Sequence, residues 1–80
     1  MKYNVTITIA LKEGMLNPEA RAIQHALANL GFPTESLSTA RLFKITLDAT
    51  DAAAARETAG QMCERLLANP VIHNYTIEVE

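Results

Sequence analysis

The chain has 80 residues, a formal charge of −2 and seven Lys and Arg scattered along its length, so it carries no clustered basic patch for nucleic-acid phosphates. The single Cys63 excludes an internal disulfide, no Cys/His cluster suits zinc, and no apolar run approaches the roughly 18 residues of a membrane span. One domain of this size, residues 1–80, buries only about 60 to 65 per cent of its unfolded surface, and without staples the support left to it is a second subunit.

With 49% hydrophobic residues but only two Tyr, two Phe and no Trp, the core must be aliphatic and packed around small side chains. The stretch Met1 to Thr6 alternates polar and apolar residues and lacks the continuous apolar run of a signal peptide. One reduced cysteine and no export signal predict a cytoplasmic protein. From Tyr3 to Leu11 every odd position is apolar and Asn4, Thr6 and Thr8 lie between, so this strand buries one face. Asn17 before Pro18 opens a helix. The Asn side chain can accept from a free backbone N–H, and proline at the first helical position lacks only a donor that would be unpaired anyway. Ala20, Ile23, Leu27 and Leu30 form its apolar stripe, with Arg21, His25 and Asn29 on the opposite side. Gly31 and Pro33 close it.

The stretch Thr34 to Leu47 is rich in β-branched residues and ends in alternation, with Phe43, Ile45 and Leu47 on one face and Lys44 and Thr46 on the other. As one strand it would extend about 45 Å, longer than the roughly 30 Å diameter of a compact domain of this size. Either Ser38-Thr39-Ala40 bends it into two strands or its far end reaches a partner's sheet. Thr50 or Asp51 caps a second helix, whose Ala52, Ala55, Ala59, Met62, Cys63, Leu66 and Leu67 cover one arc. Pro70 stops the chain's helical course, and Tyr75, Ile77 and Val79 alternate in a final strand. The order βαβ(β)αβ predicts an α+β fold, a two-layer sandwich with the helices on one face of a sheet, related to ferredoxin-like topologies and, where the long central strand does not bend, with that strand shared between subunits.

Candidate chemistry is sparse. His25 lies away from its helix's apolar stripe and reads as an exposed or interface histidine. His73 shares parity with Tyr75 and Ile77, a sheet-edge position. Cys63 sits in an apolar arc, where a thiol behaves as a small hydrophobe. Asp48 and Asp51 occupy a strand-to-helix transition where Asp caps helices more readily than it holds Mg²⁺. Lys12-Glu13-Gly14 has one glycine, far short of a phosphate-binding loop. Arg41 and Lys44 flank Leu42-Phe43, a mixture enriched at protein interfaces.

The junction Leu66-Leu67-Ala68-Asn69-Pro70-Val71-Ile72 closes a helix and opens a strand within seven positions. Leu11 to Pro18 makes a similar junction between the first strand and the first helix. With Leu30-Gly31, Met62-Cys63-Glu64 and Asn74-Tyr75, these stretches resemble the PurS family, the small subunits of phosphoribosylformylglycinamidine synthase, the formylglycinamidine ribonucleotide amidotransferase of purine biosynthesis. The resemblance implies a non-catalytic subunit of an ATP- and glutamine-dependent C–N ligase, one that joins a large synthetase subunit to a glutaminase subunit and supports transfer of glutamine-derived ammonia. It implies no catalytic, cofactor or metal residues in this chain, with ATP and Mg bound by the large partner subunit. The implied assembly is a homodimer or homotetramer within that complex, without nucleic acid or membrane. The candidate partner interface comprises Lys12, His25, Arg41, Phe43, Lys44 and Asn69. Leu37-Ser38-Thr39-Ala40-Arg41 departs from the family's Val-Arg-hydrophobic-Gly-Lys, and Ala40 would be strained if the backbone there had positive φ. Two alternatives stay open: a free-standing small-ligand or regulatory module, and an acylphosphatase-like enzyme, for which the first turn is a poor anion cradle.

Overall fold

A computed structural model describes all 80 residues. The apolar alternation of β1 (Lys2–Leu11) places it at the centre of a three-stranded antiparallel sheet, between β2 (Ala40–Asp48) and β3 (His73–Val79). Ile7 stands opposite Phe43 on one side and Ile77 on the other. The odd residues of β1 therefore share a face with Phe43, Ile45 and Leu47 of β2 and with Tyr75, Ile77 and Val79 of β3, and Val5, Ile7 and Ile9 are buried there. Ile7 is 0% exposed, and complete burial of such a side chain contributes about 1.5–3 kcal/mol. The even positions form a polar face, on which Thr46 Oγ1 donates to Asn4 Oδ1 at 3.0 Å.

Asp51, rather than Thr50, caps α2 (Ala52–Met62), its Oδ1 accepting from the Ala54 N–H at 2.7 Å. The helix lays Ala55, Ala59 and, just beyond it, Cys63 over β1 and β3, and all three are fully buried. Side chains this small let the helix backbone approach the sheet closely. The next turn, Cys63–Leu67, is a π-helix, closed by the Ala68 N–H donating to the Cys63 carbonyl at 2.9 Å. A π turn inserts one residue into the helical repeat, so the inward position passes to Leu67 and Ala68. The expected arc ran through Leu66, which is instead 84% exposed.

Helix α1 (Pro18–Asn29) begins as its sequence predicts, with Asn17 Oδ1 accepting from the Ala20 N–H at 3.1 Å and Pro18 in the first turn. It ends in a Schellman motif: Gly31 takes φ of +94°, its N–H donates to the Ala28 carbonyl, and the Phe32 N–H donates to the Leu27 carbonyl at 2.8 Å. The α+β class holds, but α1 does not join α2 on the sheet. It makes no extensive contact with any strand and projects from the end of the sheet. The consequence is an elongated molecule of 51 × 24 × 16 Å with a radius of gyration of 16.1 Å, against about 12 Å for a compact chain of this length. The long dimension equals β1, about 33 Å, and α1, about 18 Å, laid end to end.

The return from α1 explains the long stretch. Strand β2 starts only at Ala40, and residues Pro33 to Thr39 make no backbone hydrogen bond to any other backbone group. No second strand forms within the chain, so the bracketed strand of the expected order is missing. Ala40 carries no strain, because positive φ occurs only at Gly14 and Gly31.

Candidate partner interface

Three of the six candidate residues gather where the two turns meet at one end of the sheet. The first turn has Gly14 at φ of +84° and the Met15 N–H donating to the Lys12 carbonyl at 3.1 Å, which is a type II turn with glycine at its third position. The Lys12 N–H in turn donates to the Ile72 carbonyl at 2.8 Å and stitches this turn to the second one. In the second turn Asn69 Oδ1 accepts from the Val71 N–H at 3.1 Å, and the Asn69 carbonyl accepts from the Ile72 and His73 N–H groups. The Asn69 N–H donates to His73 Nδ1 at 2.9 Å. Asn69 is thus bound into the shape of the turn, while Pro70 and Val71 beside it are exposed, Val71 at 75%.

Lys12 shares an open cleft of about 360 Å³ with Glu64, Pro70, His73, Asn74 and Tyr75. Tyr75 Oη donates to Glu64 Oε1 at 2.6 Å. That hydrogen bond, aided by burial and by the carboxylate's charge, raises the phenol's pKa above its ordinary value. Burial, with a smaller contribution from Glu64, also pushes the Cys63 thiol up, so the thiolate is disfavoured and the side chain acts as core. Arg41 is exposed at the lip of an adjoining cleft of about 320 Å³, whose walls include Asn17, Glu19, Thr39 and His73.

The other three candidates lie elsewhere. Phe43 is half-buried on the core face opposite Ile7, whereas Lys44, the next residue along β2, emerges on the polar face. A single docking patch made of Arg41, Phe43 and Lys44 therefore does not form within one chain. His25 sits on α1, in a shallow groove with Arg21, Gln24, Ala28, Pro33 and Thr34. Sequence reasoning missed the Glu64–Tyr75 pair and the Arg56 guanidinium, whose Nη1 donates to the Ile77 carbonyl at 2.7 Å. Both join side chains to groups on a distant strand, and local pattern carries no signal for them. No three His, Cys, Asp or Glu side chains converge as metal ligands, and no helix is long and apolar enough to cross a membrane.

Residues 4–80 match the PurS family model, described as phosphoribosylformylglycinamidine (FGAM) synthase. The phosphoribosylformylglycinamidine synthase subunit PurS of Methanothermobacter thermautotrophicus is 44% identical over 79 residues, which cover 99% of this chain and 94% of the relative. The crystal structure of Methanocaldococcus jannaschii PurS superposes with a TM-score of 0.87 at 44% identity, covering 98% of this chain and 95% of that one. A chain in the structure of PurLQS from Thermotoga maritima shares the fold, with a TM-score of 0.90 at 22% identity over 100% of this chain and 99% of that one.

Proposed function

The chain belongs to the PurS family, whose members are subunits of phosphoribosylformylglycinamidine synthase in purine biosynthesis, and from that premise we propose that its own contribution is docking rather than chemistry. It joins the large synthetase subunit to the glutaminase subunit so that ammonia released from glutamine reaches the acceptor, and it does so as a homo-oligomer. The observation that carries this reading is the projecting α1 and the turn that closes it, where apolar side chains stand open to solvent: Ile23 is 40%, Leu30 72% and Phe32 64% exposed. A small subunit spends that much uncovered apolar surface on association. Two further observations support it. The one thiol is buried, its ionisation disfavoured, and the clefts near the turns are open and of mixed polarity rather than enclosed.

The ligase activity then belongs to the assembled enzyme, with ATP and Mg held by the large subunit. The two stitched turns present Lys12 and the exposed Pro70-Val71 at one end of the sheet, with Arg41 of β2 at the adjoining cleft, as a surface for the larger partners. Co-purification tests this directly. The tagged chain, mixed with the large and glutaminase subunits in the presence of glutamine and ADP, is expected to retain both through gel filtration. Elution free of both would refute the docking role.

A further inference from the structure

The geometry points to a small-molecule site in the cleft between β2 and the first turn of α1: it binds a free α-amino acid, with Arg41 and Thr39 holding the carboxylate and Glu19 the ammonium. This goes beyond the docking role, and its failure would leave that role intact.

Arg41 breaks the pattern of its strand. It stands opposite Ile9, as Phe43 stands opposite Ile7 and Ile45 opposite Val5. It therefore belongs to the face on which Phe43, Ile45 and Leu47, the other β2 residues of that parity, are apolar core neighbours. A cation on an apolar face calls for an anion or for water. No carboxylate of the chain supplies the anion, because the one ion pair joins the Met1 amino group to Asp48. Helix α2 lies over β1 and β3, so Arg41 is left at an open cleft of about 320 Å³ rather than in the core.

The rest of that cleft suits a small zwitterion. Buried Ile9 and half-buried Leu11 and Leu67 form an apolar wall. Glu19 enters from the first turn of α1, and it too has no ion-pair partner. Asn17 Nδ2 donates to Thr39 Oγ1 at 3.0 Å, which fixes Thr39 in place and leaves its hydroxyl proton for another acceptor. The His73 ring is held by the Asn69 N–H. The cleft thus offers two opposite charges not paired with each other, a free hydroxyl donor and apolar carbon between them. A phosphate would meet the charge of Glu19, and an apolar ligand would leave both charges unanswered. An α-amino acid answers both, its carboxylate taking the planar Arg fork in a bidentate pair. The volume lies near the lower end of the roughly 300–1,000 Å³ of ligand clefts, which favours a molecule of that size over a nucleotide. Glutamine, the nitrogen source of the ligase, belongs to this class.

The test is a titration of the isotopically labelled full chain, followed by its amide shifts, with three probes: glutamine, glutaramic acid, which lacks the ammonium, and glutaminamide, which lacks the carboxylate. Glutamine should give saturable shifts at Glu19, Thr39, Ala40, Arg41 and His73. Arg41→Gln and Glu19→Gln should each weaken glutamine binding by about tenfold or more, the loss of one charge-assisted contact. Both analogues should bind the unmodified chain more weakly than glutamine does. Glu19→Gln should then tighten glutaramic acid and Arg41→Gln should tighten glutaminamide, because each substitution removes the charge that repels that analogue. A merely disturbed fold would not reverse the preference in this way. No saturable shift with glutamine, equal binding of the three probes, or undiminished glutamine binding by both variants would overturn the proposal.

Discussion

Asn17 does two things at the start of α1, and they are separable. Its Oδ1 accepts the Ala20 N–H at 3.1 Å and its Nδ2 donates to Thr39 Oγ1 at 3.0 Å, in a partly buried setting. Loss of an Asn cap costs about 1 kcal/mol, and loss of a neutral hydrogen bond about 0.5–1.5 kcal/mol. Asn17→Ala should therefore destabilise the fold by about 2 kcal/mol. Asn17→Asp keeps an acceptor at the helix N-terminus, where negative charge is favoured, but loses the amide donor, so it should cost about 1 kcal/mol or less. Thr39→Val removes the same inter-segment bond from the other side. In a double-mutant cycle its effect should nearly vanish when combined with Asn17→Ala. The assay is urea unfolding of each variant at one fixed protomer concentration, because association shifts apparent stability. Equal losses for Asn17→Asp and Asn17→Ala would refute the cap. Full additivity with Thr39→Val would refute the clamp. Unchanged stability accompanied by loss of complex formation would make Asn17 a contact rather than a shape-setting residue.

Tyr75 should ionise above the ordinary phenol range near 10 in an ultraviolet titration, and Glu64→Gln should lower its pKa. A phenol whose pKa is raised on folding adds stability that is complete below the unfolded value and is lost as pH rises through the folded one, so the difference between wild type and Tyr75→Phe should shrink only in strong alkali. Leu66→Ser, on the outer side of the π turn, should change stability by less than about 0.5 kcal/mol, whereas Ala59→Leu should cost about 1–3 kcal/mol by overpacking the contact between α2 and the sheet; thermal unfolding of the two decides whether the π turn sets the register. Arg41→Glu should weaken binding to the large subunit far more than self-association, by about 2–5 kcal/mol if the guanidinium is buried in that contact, and a titration at two salt concentrations that returns wild-type affinity at both would place Arg41 in solvent.

What the sequence made legible was mostly local. Strict alternation identified the core face of β1, and Asn17-Pro18, Asp51 and Gly31 marked helix ends whose hydrogen bonds are the ones their side chains or backbone freedom allow. Leu66 was misplaced because a 3.6-residue repeat was carried through a turn that is π-helical, a deviation that leaves no mark on the residue types. Helix α1 shows a different limit. Its stripe of Ile23, Leu27 and Leu30 says that something apolar covers it, but amphipathicity does not say whether that surface belongs to the same chain. The overlong stretch from Thr34 reads as strand throughout, but only Ala40–Asp48 forms one, because residues 34–39 return from α1 outside the sheet. At the turns, Lys12 and Asn69 were legible as junction residues, while the partnership of Glu64 with Tyr75 depended on how the π turn faces β3.

The most direct measurement of the docking role is turnover by the large and glutaminase subunits reconstituted with and without this chain, using glutamine or free ammonia as the nitrogen source. Omitting the chain should abolish glutamine-dependent amidine formation while ammonia-dependent turnover by the large subunit persists, and adding it back should restore coupling. Glutamine-dependent turnover at the full rate without this chain would contradict the account.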